Sequence, residues 1–327
     1  PLAAFYRNVD QRPEQVAFVQ PYAGGRVQQW TWAQVADEAE TIAAYLQAQG
    51  LTAGERVILF SKNCAHWIMA DLAIWMAGGV TVPLYPNLAP ETISQIIEHS
   101  GATRAFLGKL DNFSDMAPGL PDGLPMIRFP DAPERAGAEQ WQEILAQGSA
   151  LNSRPEPDID ALGTIVYTSG TTGMPKGVMH TFRTMGNAGV LSSLLYDTGD
   201  QDCCLSYLPL AHVAERAALE MAQLYNGFTV YFAFSLDTFA EDLQRARPTL
   251  FFAVPRIWMK FQQGVLAKMP APRLNRLKRL PIIGAMVRKK ILRGLGLDQT
   301  RIALSGASPL SVTLIDWYRE LGLEIQE

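Results

Sequence analysis

Cysteine is scarce in this chain of 327 residues: only Cys64, Cys203 and Cys204 occur. They form no metal-ligand spacing and adjacent cysteines rarely pair, so a disulfide scaffold is not expected and a reducing, cytoplasmic compartment fits. Long apolar runs are missing as well. The most apolar window, Trp67 to Tyr85, is broken by Asp71, Gly78, Gly79 and Pro83, which predicts a buried helix followed by a strand rather than a transmembrane segment. No N-terminal signal peptide is visible, although a chain that opens on proline is expected to have lost its first residues. A large net charge is absent too. The formal value of −4 makes no global case for nucleic acid as a partner. Two common phosphate signatures are also lacking around the one loop that invites them. Lys176 is followed by Gly177 and Val178, not by the Ser or Thr of a Walker-type loop, and Gly-x-Gly-x-x-Gly does not occur in that stretch.

What is present is a globular composition, 48% apolar and 18% charged, in a chain long enough for a full hydrophobic core and roughly two domains. Its organising stretch is Thr164-Ile-Val-Tyr-Thr-Ser-Gly-Thr-Thr-Gly-Met-Pro-Lys-Gly-Val178. The run Thr164 to Tyr167, rich in β-branched residues, reads as a buried strand. Gly170 and Gly173 lack Cβ and let the backbone turn several N–H groups toward one point. The hydroxyls of Thr168, Ser169, Thr171 and Thr172 can donate to an oxyanion, and Lys176 adds a mobile positive charge. Such a loop can hold a polyphosphate.

The remaining chain alternates strand and helix. Thr31 and Gln34 form a capping box ahead of Trp32, Val35, Ala36, Ala39, Ile42, Ala43 and Leu46 at helical spacing. Strands are predicted at Arg56–Phe60, Val80–Tyr85 and Arg104–Leu107, with helices near Cys64–Ala77 and Pro90–His99. Asp111 to Pro157 is dense in Pro, Gly and Asp and reads as a surface excursion with one helix near Glu139–Ala146. After the loop, Val178–His180 returns as a strand, Thr181–Leu195 is helical, and a helix from Val213 to Tyr225 follows the apolar Leu208-Pro-Leu-Ala-His212. A lone histidine in that setting is by default structural. The strands Phe228–Phe232, Thr249–Val254 and Thr300–Leu304 continue the alternation, which argues for α/β architecture with doubly wound, mostly parallel sheets and flanking helices.

The segment Tyr167 to Val178 closely resembles the phosphate-loop signature of the adenylate-forming superfamily, which includes acyl-CoA synthetases, luciferases and peptide-synthetase adenylation domains. Leu208-Pro-Leu-Ala-His212 is similar to the Leu-Pro-x-x-His segment that lines the carboxylate end of the family's acid pocket. Val254-Pro-Arg-Ile-Trp258 resembles a segment of long-chain acyl-CoA synthetases, with Trp258 read as core packing. Ser305-Gly-Ala-Ser-Pro-Leu310 resembles the family's adenine-packing turn. The resemblance implies the large N-terminal domain of an adenylate-forming enzyme, truncated at the C-terminus, with lobes at about 56–199 and at 1–55 plus 200–327. It implies that Thr168, Ser169, Gly170, Thr171, Thr172, Gly173 and Lys176 contact the phosphates of ATP, that Thr168 also touches magnesium, that His212 borders the acyl and α-phosphate pocket, and that Gly306, Ala307 and Ser308 line the adenine pocket. Coenzyme A is the implied co-substrate, and a fatty acid the implied acid. Some long-chain members place a gating tryptophan four residues after the pocket histidine. That position is Arg216 here, so the gate is not carried over. The chain ends before the Tyr-Gly-x-Thr-Glu motif that its last strand resembles the approach to.

Three rivals remain open: a medium-chain or aryl acid ligase, a kinase or other P-loop enzyme, and a non-catalytic nucleotide-binding module. A further feature stands apart from the site. From Leu243 to Leu297 there is no Asp or Glu against thirteen Lys and Arg. Within it Arg273 to Arg293 interleaves basic and apolar residues, as in a helix lying on an anionic membrane surface; a solvated basic face or steering of ATP and coenzyme A explains it equally.

Overall fold

The computed structural model describes residues 1–148, 150–168, 175–278 and 280–327. The chain forms two compact units. One comprises Pro1–Gln20, Val27–Thr198 and Ser206–Gly227; the other comprises Pro21–Arg26, Gly199–Leu205 and Phe228–Glu327. The units group 1–20, 27–55 and 206–227 with the first, whereas the lobes expected from sequence join 1–55 to 200–327.

The described strands, in chain order, are β1 (Val16–Pro21), β2 (Val27–Thr31), β3 (Arg56–Phe60), β4 (Val80–Leu84), β5 (Arg104–Leu107), β6 (Met126–Arg128), β7 (Glu139–Gln140), β8 (Leu162–Thr168), β9 (Lys176–Thr181), β10 (Cys203–Ser206), β11 (Thr229–Phe232), β12 (Leu250–Ala253), β13 (Ile302–Ser305) and β14 (Ile325–Gln326). In the first unit a seven-stranded sheet runs in the order β7-β6-β5-β3-β4-β8-β9. Its pairs are parallel except β8–β9, which is antiparallel. In the second unit β14-β13-β12-β10-β11 are neighbours in that order within another sheet, with β10, β12, β13 and β14 parallel. The strand–helix alternation thus becomes the mostly parallel sheets it predicts.

Local chemistry sets the helix ends. The Thr31 hydroxyl accepts from the Gln34 N–H at 3.3 Å while the Gln34 side chain accepts from the Thr31 N–H at 2.9 Å, closing the expected capping box before the helix Trp32–Ala48. The helix Ala65–Met76 is buried on every side, as its nearly unbroken apolar sequence requires. Asp71 is its one acidic residue. In the second unit Trp258 is fully buried; its indole N–H donates to the Ala253 carbonyl at 3.2 Å, and the Tyr318 hydroxyl donates to the Trp258 carbonyl at 2.7 Å. Trp258 is core.

The excursion from Asp111 to Pro157 is more than a surface detour. It supplies β6 and β7 to the sheet, and Trp141, at the start of the helix Trp141–Ala146, is fully buried. The anchor is Glu38. Its two carboxylate oxygens accept from the indole N–H groups of Trp30 at 2.7 Å and Trp141 at 2.8 Å. His66 lies edge-on to both rings. Burial lifts the Glu38 carboxyl above its usual range and pushes the His66 imidazole down to about 3, so His66 is a neutral core residue. Pro and Gly density marks a loop but says nothing about one tryptophan within it finding a carboxylate far away in sequence.

Candidate active site

The hairpin β8–β9 carries the ends of the predicted phosphate loop. Thr164 pairs with His180, Val166 with Val178 and Thr168 with Lys176, so the loop's first hydroxyl and its lysine stand opposite each other across one ladder. Both side chains are exposed. The described hairpin therefore brings Thr168 and Lys176 together at one end; Ser169, Gly170, Thr171, Thr172 and Gly173 lie outside the described residues. Gly177 has a packing reason: a Cβ there would stand 2.7 Å from Ile165 and 3.2 Å from the Tyr167 ring. Tyr167 is itself tied down, its hydroxyl 2.7 Å from His99 Nδ1.

His212 sits at the N-terminus of the next helical segment and is exposed. Its Nδ1 accepts from the Ala214 N–H at 3.1 Å, so in the neutral ring the proton resides on Nε2, leaving that N–H as the donor it can offer. The loop before it is gripped from behind. Asn63 donates to the Ser206 hydroxyl at 2.8 Å and the Leu208 carbonyl at 2.5 Å, and accepts from the Leu210 N–H at 3.0 Å. Glu215 accepts from the Ser206 hydroxyl at 3.1 Å and the Tyr207 N–H at 3.3 Å. Burial pushes the Glu215 carboxyl up to about 8, so at neutral pH it is mainly protonated.

The helix expected over Val213 to Tyr225 is not uniform. It runs as an α turn Val213–Glu215, a π-helical stretch Arg216–Met221 and an α segment Ala222–Asn226. The wide turn begins at Arg216, which is buried. Its guanidinium donates to Glu220 Oε2 at 3.0 Å, to the Thr164 hydroxyl at 2.7 Å and to Asp71 Oδ2. It also lies 5.2 Å from the centre of the Trp67 ring and 5.6 Å from that of Trp75. The Thr164 hydroxyl in turn donates a hydrogen bond to the Thr81 carbonyl at 2.8 Å. Burial lifts the carboxyls of Asp71 and, much more, Glu220, while Arg216 opposes the rise in both. The two carboxyls also bond to each other, a contact that favours the charged form of Asp71 and the protonated form of Glu220, the arrangement expected of two carboxyls that share one proton opposite a single cation.

Asn63, Asp71, Glu215 and Glu220 were not among the residues that sequence pointed to, and Arg216 entered only as a position where a gate is missing. A signal did exist for two of them: Asp71 is a lone charge in an apolar helix, and Arg216 stands four residues before Glu220 at helical spacing. Asn63 carries no such mark.

In the second unit, Gly306, Ala307 and Ser308 follow β13 directly. Ala307 has a φ of 74°, a conformation uncommon for a residue with a Cβ. The flat ring that approaches Gly306 is that of Phe252, whose atoms would lie 3.0 and 3.1 Å from a Cβ there. Ala307 and Ser308 are exposed. Among the described residues no group of three or more His, Cys, Asp or Glu could hold a metal ion. Thr168 offers a single exposed hydroxyl oxygen, which suits magnesium bound chiefly through phosphates. A groove of about 940 Å³ runs along the excursion, between residues such as Phe113, Pro121 and Ala138, and no expected site residue lines it.

Comparison with known proteins bears on the family. The family described as AMP-binding enzyme matches residues 5–327. Long chain acyl-CoA synthetase 7, peroxisomal, of Arabidopsis thaliana is 31% identical over 321 residues, covering 88% of this chain and 45% of that protein. Long-chain-fatty-acid–CoA ligase FadD15 of Mycobacterium bovis is 30% identical over 338 residues, covering 91% of this chain and 54% of that protein. The chain spans about half the length of the curated relatives it matches. Among solved structures, the A domain of a carboxylic acid reductase from Segniliparus rugosus superposes with a TM-score of 0.79 at 23% identity, covering 99% of this chain and 58% of that one. At that identity the likeness speaks for the fold alone. With a family match over nearly its full length, the chain belongs to the AMP-binding enzymes.

Proposed function

We propose that the protein is an ATP-dependent, AMP-forming acid–CoA ligase acting on long-chain fatty acids. The observation that carries this is the pairing of Thr168 with Lys176 at the open end of the β8–β9 hairpin, joined by a connection of hydroxyl residues and glycines. Two of the relatives at 30% identity or more, both named for long-chain acyl activation, support the reaction and the acid class. In the first step a carboxylate oxygen bonds to the α-phosphorus of ATP and the bond to the bridging oxygen breaks, releasing pyrophosphate. In the second the thiol sulfur of coenzyme A bonds to the acyl carbon, its proton is lost, and AMP leaves.

Both partners in the first step are anionic, so the protein's task is alignment and charge stabilisation rather than nucleophilic attack. Lys176 supplies a cation and Thr168, Ser169, Thr171 and Thr172 supply hydroxyl donors to the β- and γ-phosphates, with Gly170 and Gly173 freeing the backbone N–H groups between them. His212 presents its Nε2–H to the carboxylate and α-phosphate oxygens. The resemblance assigns Gly306, Ala307 and Ser308 to the adenine. Magnesium, when bound, would neutralise phosphate charge, and Thr168 would offer it a hydroxyl oxygen. Pyrophosphate release by the complete gene product with a panel of fatty and aryl acids tests the reading. Release that is greatest with long chains is expected; no release with any acid sinks the ligase, and ADP formation turns the assignment to a kinase.

The basic segment supports peripheral contact with anionic membranes. No described helix is long and apolar enough to cross one. On the helix Pro281–Leu295, Ile282 and Met286 are 77% and 67% exposed and share a stripe with exposed Lys289, Lys290 and Arg293. Flotation with anionic vesicles should fall on removing the charges of Arg288, Lys289 and Lys290; unchanged flotation removes the membrane.

A further inference from the structure

Arg216 touches two elements that the proposed chemistry uses separately. It lies four residues after His212, on the same helical segment, and its guanidinium bonds to Thr164, four residues before Thr168 on β8. The strand between Thr164 and Thr168 is laddered to β9 through Lys176. Any displacement of β8 therefore moves the hydroxyl and the lysine of the phosphate end together. Asp71 anchors the same guanidinium to the buried helix Ala65–Met76. That helix holds β8 a second time, through the Trp75 indole N–H donating to the Gly163 carbonyl at 3.0 Å.

Nothing about packing alone calls for these charges. Apolar side chains of similar volume fill a core without the desolvation that an arginine and two carboxyls incur, and replacing such buried groups is often neutral or stabilising. What an apolar trio lacks is direction. A planar guanidinium with three partners at fixed angles fixes the relative placement of the elements that supply them. The π turn that starts at Arg216 fits this, because such turns concentrate where a helix is adjusted to a site.

We propose that Arg216, held by Asp71 and Glu220, is a positioning residue that sets the phosphate end of the site, Thr168 and Lys176, against the acid end, His212. The inference rests on the acid-activating reading for its kinetic consequence, though not for its structural one. Arg216 touches neither substrate in this arrangement; it acts on the distance and angle between the groups that do.

The test uses the complete gene product carrying Asp71→Asn, Arg216→Met and Glu220→Gln together, a near-isosteric set that removes every charge, with Arg216→Lys as a second variant. With a folded variant, pyrophosphate release should show kcat lowered by about 30- to 100-fold, with KM for ATP and for the acid each changed less than about threefold, because each half of the site stays intact while their alignment is lost. A merely structural network lowers the melting temperature and leaves kcat per folded molecule unchanged, and that result overturns the proposal. So does failure of both variants to fold, which assigns the network to folding. If wild-type protein itself releases no pyrophosphate, the ligase reading falls by itself, and amide hydrogen exchange decides the positioning: loss of protection confined to the ends of β8 and β9 and to Ala211–Ala214 is expected, and unchanged protection overturns it.

Discussion

Lys176 and Arg216 are two cations of the first unit held under opposite conditions. Lys176 stands exposed at the start of β9, opposite an exposed threonine, and no ion pair to it is recorded among the described residues. Arg216 is buried, with a carboxylate on either side, a threonine hydroxyl in front and two tryptophan rings near by. The difference separates two uses of charge. A cation meant for an exchangeable anion is kept hydrated, where release costs little. A cation meant to hold a geometry is buried with permanent partners, where loss of any one leaves a charge stranded.

Four substitutions can break or sharpen this contrast. The largest effect is expected from Arg216→Met alone, which leaves Asp71 and Glu220 facing each other without a cation; it should cost about 3–5 kcal/mol of folding stability, read as a lower midpoint in urea unfolding. A loss under 1 kcal/mol would mean that the buried network carries little. Asn63→Ala removes three hydrogen bonds to the loop before His212 and should cost about 2 kcal/mol. It should also lower acid activation, whereas a loss of stability with full activity would show that the loop's placement does not matter to His212.

Glu215 makes the same point through pH. Its carboxyl is raised from 4.5 to about 8 by burial. Between those values the unfolded chain has released a proton that the folded chain keeps, so stability falls as pH rises through that window and levels off above it. The slope from this one group reaches at most about 1.4 kcal/mol per pH unit. Glu215→Gln should flatten the stability–pH curve between pH 5 and 8, and a curve of unchanged slope would contradict the shift. The smallest effect on stability belongs to Lys176→Ala, within about 0.5 kcal/mol of wild type as befits an exposed side chain. Its signature lies elsewhere, in ATP affinity reduced by about tenfold or more, since each 1.4 kcal/mol of lost charge interaction is a factor of ten. Unchanged ATP binding would remove the loop assignment.

The sequence reading and the structure agree most closely where the determinants are local. The capping box at Thr31 and Gln34, the fully buried helix after Cys64, and the strand into Thr168 depend on neighbours within a few residues. The reading failed at Trp141, which an excursion rich in proline and glycine buries against Glu38, and at Arg216, where an expected regular helix opens into a π turn. In both places the side chain bonds a partner more than a hundred residues away in the chain, Glu38 for Trp141 and Asp71 for Arg216.

By itself the sequence determined the chemistry that the loop can perform, because hydroxyls, glycines and one lysine have those capacities wherever they fold, and it determined the alternation that becomes two mostly parallel sheets. Only the tertiary structure decided which charges would serve as structure. Asp71, Arg216 and Glu220 become a single unit because burial removes the water that would otherwise satisfy each one separately, and Asn63 becomes a clamp because folding sets its amide against a loop that its own sequence neighbourhood never mentions.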